Sequence, residues 1–542
     1  MQIDVLTPGP VPADATEVAV PMRDGVQLAA DLYRAGPGAH PVVVVRLPYD
    51  KDGEYCHMAE VARHANARGY TVLVQDVRGK FRSGGVTEFG VHEVDDGHDT
   101  VAWTADQPWC DGRVLAWGDS YFGMTTLAAA AAGHPALRAI APRLTGTLLS
   151  REVVHPGGLP DVEATARTLY LSSWYLDRDA YEWPVDWTVR PLRAPFDAFF
   201  AAVGRRSAGY DAERGRTGVV FAGPSIEQLL AAPPVPVLFT VGLFDNCAHY
   251  SWHDLRRLLA DPAWAPAVRI RLDALDHENN HVDDPAGADF DVARVLDPAL
   301  DFFDDVLGGG PLATPRVRYE VVHGPTLTAD AWPPADTEPR RLWLARGGAG
   351  PSLQEHPGLP AELSWRHDPE HLVPSAAPDP FARLVLHPDL AAVAVRPDVL
   401  HLPGEPVREP VDLVGPARLE VALATTSVST DLFARLLDVA PDGSHALLMK
   451  TQVHLAGDRS EGPVQLDLLS LSHRLRPGHR IAVQLMSSDV PDYVPDPGDG
   501  SDPWEATTSL PSAQTVLLGD PGGSVLHLTV RTPLIDDTQE TP

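Results

Sequence analysis

Cysteine is nearly absent. Cys56, Cys110 and Cys247 are the only three in 542 residues. They form no even, closely spaced set, so a disulfide framework is not expected and a reducing compartment is the simpler reading. Positive charge is also scarce. Lys and Arg total 43 against 74 Asp and Glu, a net charge of −31. Such a chain repels phosphate backbones and anionic lipid, so neither nucleic acid nor membrane is an expected partner. No uncharged apolar run is long enough to span a bilayer. The opening Met1-Gln-Ile-Asp-Val-Leu-Thr-Pro8 lacks a basic region followed by an apolar one, so no signal peptide is expected and the location is read as cytoplasmic.

What is present is ordinary globular composition, 44% hydrophobic and 22% charged, in a chain long enough for two or three domains. The 53 prolines and 44 glycines imply many turns and few long helices. Residues 16–32 alternate apolar and polar around Met22-Arg-Asp-Gly25, the pattern of a β-hairpin. Apolar strands are then predicted at Val42–Arg46, Val72–Gln75, Val114–Trp117, Ala139–Pro142, Val237–Gly242 and Ile270–Leu275. Helices are predicted near His57–Ala67, Glu93–Ala105, Met124–Ala132 and Tyr250–Leu259. This alternation implies an α/β domain with a largely parallel sheet, built from 1–145 and 235–311. Residues 146–234 interrupt it with an aromatic, helix-prone insertion. From 312 to 542 short strands recur between Pro/Gly turns, the texture of an all-β sandwich.

The sharpest local signal is Val114-Leu-Ala-Trp-Gly-Asp-Ser-Tyr-Phe-Gly123. A strand runs into a glycine-flanked serine and then an alanine-rich helix former, the layout of a nucleophile elbow. The turn lifts the Ser120 hydroxyl above the sheet, where a base can reach it. Phe122 stands where the common G-x-S-x-G form has its second glycine, and the glycine follows at 123. A serine nucleophile needs a histidine base oriented by a carboxylate, in chain order Ser, Asp, His on such a sheet. Asp245 follows the strand Val237–Gly242, and His277 follows Ile270–Leu275. The backbone N–H of Tyr121 is a donor for a developing oxyanion.

The surrounding segments are Val42-Val-Val-Val-Arg-Leu-Pro-Tyr-Asp-Lys51, Gln75-Asp-Val-Arg-Gly-Lys-Phe-Arg-Ser-Gly-Gly85 and Gln107-Pro-Trp-Cys-Asp-Gly112. Ser429-Thr-Asp-Leu-Phe-Ala-Arg-Leu-Leu-Asp-Val-Ala-Pro-Asp-Gly443 and His473-Arg-Leu-Arg-Pro-Gly-His-Arg-Ile481 come later. Together with the elbow they resemble the cocaine esterase / X-Pro dipeptidyl-peptidase family of serine hydrolases. The resemblance implies an α/β-hydrolase core, a helical cap at 146–234 and a C-terminal jelly-roll. It implies the same acid and base, Asp245 and His277, and a second oxyanion donor in the hydroxyl of Tyr49. It also implies a small ester or amide substrate, hydrolysed or transferred through an acyl-enzyme. Just before the next core strand the chain carries Gly223-Pro-Ser-Ile-Glu-Gln-Leu-Leu230 in place of the family's His-Pro-x-x-Asp-x-Tyr-Trp segment.

Other readings stay open beside this one. Trp174, Tyr175, Trp183 and Trp187 either line an acyl pocket or form the insertion's own core. His281 competes with His277 for the base. Residues 277–281 also spell H-E-x-x-H, which on a helix would bind zinc with Glu278 as general base. Adjacent Asn279 and Asn280, and the Asp-Asp-Pro that follows, oppose a helix, so no metal or cofactor is expected. A noncatalytic binding protein on a hydrolase scaffold is the alternative from another class. A homodimeric assembly is left open.

Overall fold

A computed structural model describes residues 3–149, 158–159, 180–183, 186, 189–204, 206, 223–282, 290–348, 350–376, 389–456, 462–519 and 522–532. The chain divides into two compact units. One takes Met1–Val153, Ala164–Val185 and Ala198–Val317, the other Val154–Glu163, Asp186–Asp197 and Arg318–Pro542.

The first unit alternates strand and helix: β1 Thr16–Pro21, β2 Gln27–Tyr33, β3 His40–Leu47, α1 Met58–Ala67, β4 Thr71–Asp76, α2 Glu93–Ala105, β5 Cys110–Asp119, α3 Ser120–Ala131 and β6 Leu137–Arg143. After the insertion come β7 Val237–Gly242, a helix at Ala248–Ala260, β8 Val268–Asp273 and a helix at Val292–Gly308. The strands lie in the order β1-β2-β4-β3-β5-β6-β7-β8. The β1/β2 and β2/β4 pairs are antiparallel and the rest parallel. The central strands are apolar without alternation, and Val42, Val72, Leu73, Val114 and Val237 are fully buried, as in a sheet covered on both faces. The chain passes from β4 across β3 to β5, so connections reverse direction between β3 and β5. A crevice at the C-terminal ends of these strands is where such sheets bind ligands.

The hairpin expected at 16–32 is present, turning at Gly25 with φ 86°. Two boundaries near the site, and one whole helix, differ from the sequence reading. Helix α3 starts at Ser120 rather than Met124, because Tyr121, Phe122 and Gly123 are themselves buried helical residues. Strand β8 ends at Asp273, leaving Ala274 to His277 for a turn. The helix at Val292–Gly308 was not expected. It buries Val295, Leu296, Ala299, Leu300, Phe302 and Phe303 on one face and keeps Pro298 inside. In the 146–234 insertion, helices are described at Arg193–Val203 and Ile226–Ala231, the latter opened by a capping box of Ser225 and Gln228. Among the described residues no helix is long and apolar enough to cross a membrane.

The second unit is all β apart from short turns of helix. The strands of its two packed sheets are β9 Glu338–Gly347, β10 Gly350–Gln354, β11 Ala361–His367, β12 Leu400–Pro403, β13 Val411–Thr425, β14 Ser429–Val439, β15 His445–Ala456, β16 Gly462–Leu475, β17 Arg480–Met486, β18 Ser512–Leu518 and β19 Val525–Arg531. One sheet runs β10-β9-β19-β13-β18-β11 with β16 also paired to β13, and the other runs β12-β17-β14-β15. Leu344, Leu419 and Leu526 from the first meet Leu432, Leu436 and Leu485 from the second in one apolar core, which makes a sandwich. Strands β10, β11 and β12 were not expected from the sequence.

Candidate active site

Strand β5 ends at Asp119 and the chain turns at once into α3, which puts Ser120 in the left-handed region at φ 52°. A non-glycine residue there is strained by roughly 1–3 kcal/mol and must be held by its surroundings. Close packing holds it. A Cβ on Gly118 would lie 2.4 Å from the Phe122 carbonyl oxygen. One on Gly123 would lie 2.7 Å from Thr145 Cγ2 and 2.8 Å from the Arg143 carbonyl oxygen. Both positions require glycine. The Thr145 hydroxyl donates to the Ser120 carbonyl at 2.6 Å. Tyr121 anchors the other side by donating its hydroxyl to Glu93 Oε1 at 2.7 Å. Glu93 is paired in turn with Arg46 at 2.9 Å. Burial, and then the Glu93 charge, push the Tyr121 phenol well above its usual range, so it stays a donor.

Ser120 Oγ lies 3.0 Å from His277 Nε2, and His277 Nδ1 lies 2.7 Å from Asp245 Oδ1. A carboxylate can only accept, so Nδ1 carries the proton in neutral imidazole and Nε2 accepts from the serine hydroxyl. Asp245 Oδ1 also accepts from the Cys247 amide at 2.9 Å, while the buried Oδ2 has no hydrogen-bond partner among the described residues. Burial pulls the His277 pKa down. The charges facing it from Cys247 and Asp245 more than offset this, so it stands well above 6.5.

The loop carrying His277 is a turn, not a helix. Asp276, fully buried, accepts from the amides of Glu278 and Asn280 through Oδ1 and from Asn280 Nδ2 through Oδ2, each at 2.9 Å. Leu275 and His281 form an isolated antiparallel bridge. The two histidines of the H-E-x-x-H string therefore do not share a helical face, and both ring nitrogens of His277 are engaged. A carboxylate oxygen of Asp245, Cys247 Sγ and a His277 nitrogen do lie within 4.8 Å of one another, a donor set that suits a soft divalent cation.

Tyr49 sits on the loop after β3, buried, with its ring edge-on to Phe122 at 6.1 Å and to Tyr55 at 5.6 Å. Lys51 ties the loop down from below, meeting Asp52 at 2.8 Å and Asp31 at 3.0 Å, all fully buried. Burial, with Asp52 alongside, raises the Asp31 carboxyl to about 7.

Ser120, His277, Tyr49, Trp117 and Phe122 share a cavity of about 430 Å³. Its far wall comes from residues that sequence reasoning did not single out for function. Tyr55 donates to Glu278 Oε1 at 3.0 Å, and His57, at φ 51°, stacks on Phe290 at 4.4 Å. The helix expected near His57–Ala67 would have taken up His57, next to Cys56. The Cys56-His57 pair instead precedes α1 and lines the cavity. The only sequence signal was position, a loop at the C-terminal end of a central strand. Trp183 stacks on Phe199 at 5.4 Å and is not among the cavity's described lining residues. Trp174, Tyr175 and Trp187 lie outside the described residues.

Two family models match the chain. Residues 24–262 match the X-Pro dipeptidyl-peptidase (S15 family), and residues 312–527 match the X-Pro dipeptidyl-peptidase C-terminal non-catalytic domain. A cocaine esterase of Rhodococcus sp. (strain MB1 Bresler) is 30% identical, with 88% of this chain and 91% of that protein covered. The chain belongs to the CocE/NonD-type serine hydrolase family. Two solved structures share its fold. An aminopeptidase from the marine sediment archaeon Thaumarchaeota archaeon aligns with a TM-score of 0.80 at 23% identity, covering 96% of this chain and 97% of that one. An α-amino acid ester hydrolase aligns at 0.79 and 22%, covering 96% and 98%. Membership in this family makes the protein a serine hydrolase of esterase type working through an acyl-enzyme.

Proposed function

We propose that Ser120, His277 and Asp245 carry out acyl-ester or amide hydrolysis on a small substrate, with Tyr49 and the Tyr121 N–H as oxyanion donors. The observation that carries this reading is the continuous relay from Ser120 Oγ to His277 (3.0 Å) to Asp245 (2.7 Å), with Ser120 and His277 lining the cavity. Ser120 Oγ attacks the carbonyl carbon as its proton passes to His277 Nε2, and the carbonyl oxygen takes the displaced electron pair. Asp245 steadies the imidazolium. Collapse breaks the bond to the leaving group, which departs with the proton from His277. Water then attacks the acyl-serine, gives a proton to His277 and releases the acid, and the proton returns to Ser120. The Tyr121 amide lies in the first turn of α3, where amides have no intrahelical acceptor. A tyrosine hydroxyl is a donor that stays protonated at neutral pH.

We take 1–145 with 235–311 as the catalytic core, 146–234 as a helical cap with Trp174, Tyr175 and Trp183 as candidate acyl contacts, and 312–542 as the β-sandwich. A cytoplasmic location goes with the acidic, cysteine-poor composition. The balance of aromatic and polar groups around the cavity supports esters and amides of modest size over long acyl chains. A fluorophosphonate probe tests the core of the reading: it should label the wild type and leave Ser120→Ala unlabelled. Equal labelling of both would take Ser120 out of the reaction.

A further inference from the structure

At the wall of the cavity, three polar side chains from three different segments close a ring, and two of them, Asp119 and Asn279, line the cavity. Asp119, at the end of β5, is the residue before Ser120. Arg143 ends β6. Asn279 lies two residues beyond His277. Arg143 Nη1 donates to both Asp119 oxygens at 2.9 Å. Arg143 Nη2 donates to Asn279 Oδ1 at 2.9 Å. Asn279 Nδ2 donates back to Asp119 Oδ2 at 3.2 Å. The Arg143 and Asp119 side chains are 4% and 10% exposed, so water screens this ion pair little.

The ring is built on backbone that resists it elsewhere. Asn279 has φ 63°, a conformation that Asn tolerates better than most residues. This turns its side chain toward Asp119 and Arg143. Asp276 shapes the same turn from within, its side chain accepting from Glu278 and Asn280 of its own loop. The ring instead bonds the loop of His277 to the strand that delivers Ser120. Both ends lie next to a reacting group, one residue before Ser120 and two after His277.

We infer that Asp119, Arg143 and Asn279 are positioning residues that set the distance between the Ser120 hydroxyl and His277 Nε2. This inference rests on the roles proposed above for Ser120 and His277. The physical ground is that proton transfer in the attack depends steeply on that separation, and a misplacement of about 1 Å costs roughly a hundredfold in rate. Asp119 and Asn279 line the cavity, but their side chains are engaged with each other and with Arg143, so loosening the ring should lower kcat more than it changes KM. A device that served stability alone would move the melting temperature and leave the kcat of the folded fraction alone.

The test exchanges the amide and the carboxylate across the ring. Asn279→Asp places two carboxylates face to face where Nδ2 now donates. Asp119→Asn removes the charge that Arg143 holds. Each single variant should lose about a hundredfold in kcat with KM nearly unchanged. The double variant Asp119→Asn/Asn279→Asp restores one carboxylate, one amide and one guanidinium, and should recover most of the loss. The readouts are steady-state kinetics on an activated ester and the rate of fluorophosphonate labelling, with circular dichroism to establish folding. Folded single variants with wild-type kcat would overturn the inference, and so would a folded double variant whose losses simply add. Wild type that takes no label at Ser120 would instead bring down the underlying functional reading.

Discussion

Both units bury an aspartate hydrogen-bonded to histidine, yet only one pair faces a nucleophile. In the α/β unit, Asp245 holds His277, whose second nitrogen meets Ser120 on a strained turn over a cavity. In the β unit, Asp438 accepts from His473 at 2.9 Å and from His479 at 2.8 Å. Burial pushes the Asp438 carboxyl up, and the two histidines more than offset it, leaving it below the usual range. Among the described residues the buried second nitrogen of His473 has no hydrogen-bond partner, and the ring beside it is His323 at 5.3 Å. The contrast teaches that a buried Asp–His pair is a packing solution that any well-formed core can use. It becomes chemistry when the free nitrogen is aimed at a hydroxyl that the backbone cannot move away.

The largest effect should come from breaking the two pairs separately. His277→Ala is expected to lower kcat by about 10⁶-fold. His473→Ala should leave kcat unchanged while lowering the urea midpoint of unfolding. A folded His473→Ala protein without activity would erase the distinction between the units.

A smaller effect tests the tyrosines in the same way. Tyr49→Phe removes only a hydroxyl at the cavity and should lower kcat by about 10²–10³-fold. Tyr493, packed on Phe433 at 5.4 Å in the β unit, should tolerate the same change with kcat intact. Wild-type turnover by folded Tyr49→Phe would remove that hydroxyl from the oxyanion site.

The smallest effect concerns pH. In the proposed mechanism neutral imidazole is the base, and the His277 pKa is raised, so the base form appears only at higher pH. The rise of kcat/KM with pH should therefore have its midpoint above 6.5. Cys247→Ala removes one of the two neighbouring groups that raise it and should move the midpoint down. A midpoint below 6.5, or one that Cys247→Ala leaves in place, would contradict this account of the electrostatics.

The parallel core was readable because its strands are apolar on both faces, and runs such as Val42-Val-Val-Val45 have few other uses. The sandwich was readable because short apolar stretches recur between Pro/Gly turns from 312 onward. Strands β10, β11 and β12 were missed because they are short and lie at or near sheet edges, with exposed positions that read as loop. The Val292–Gly308 helix was missed because Pro298 is a poor omen for a helix, while tertiary burial of Phe302 and Phe303 outweighs it. Ser120, Asp245 and His277 could be singled out because topology demands an acid and a base after later strands. Asp119, Arg143 and Asn279 could not, because a ring of hydrogen bonds between distant segments leaves no local pattern. Tyr55, His57 and Phe290 escaped for the same reason.

The sheet order also bears on how activity is acquired. Ser120 follows β5, Asp245 follows β7 and His277 follows β8, and β6 lies between β5 and β7. The β6/β7 pairing must close the chain across residues 144–236 before the three side chains can meet. That closure is a long-range, parallel contact, the slowest kind to form. During refolding, helical signal and local strand pairing can therefore build up while turnover is still zero. Hydrolysis then reports the moment the sheet becomes continuous.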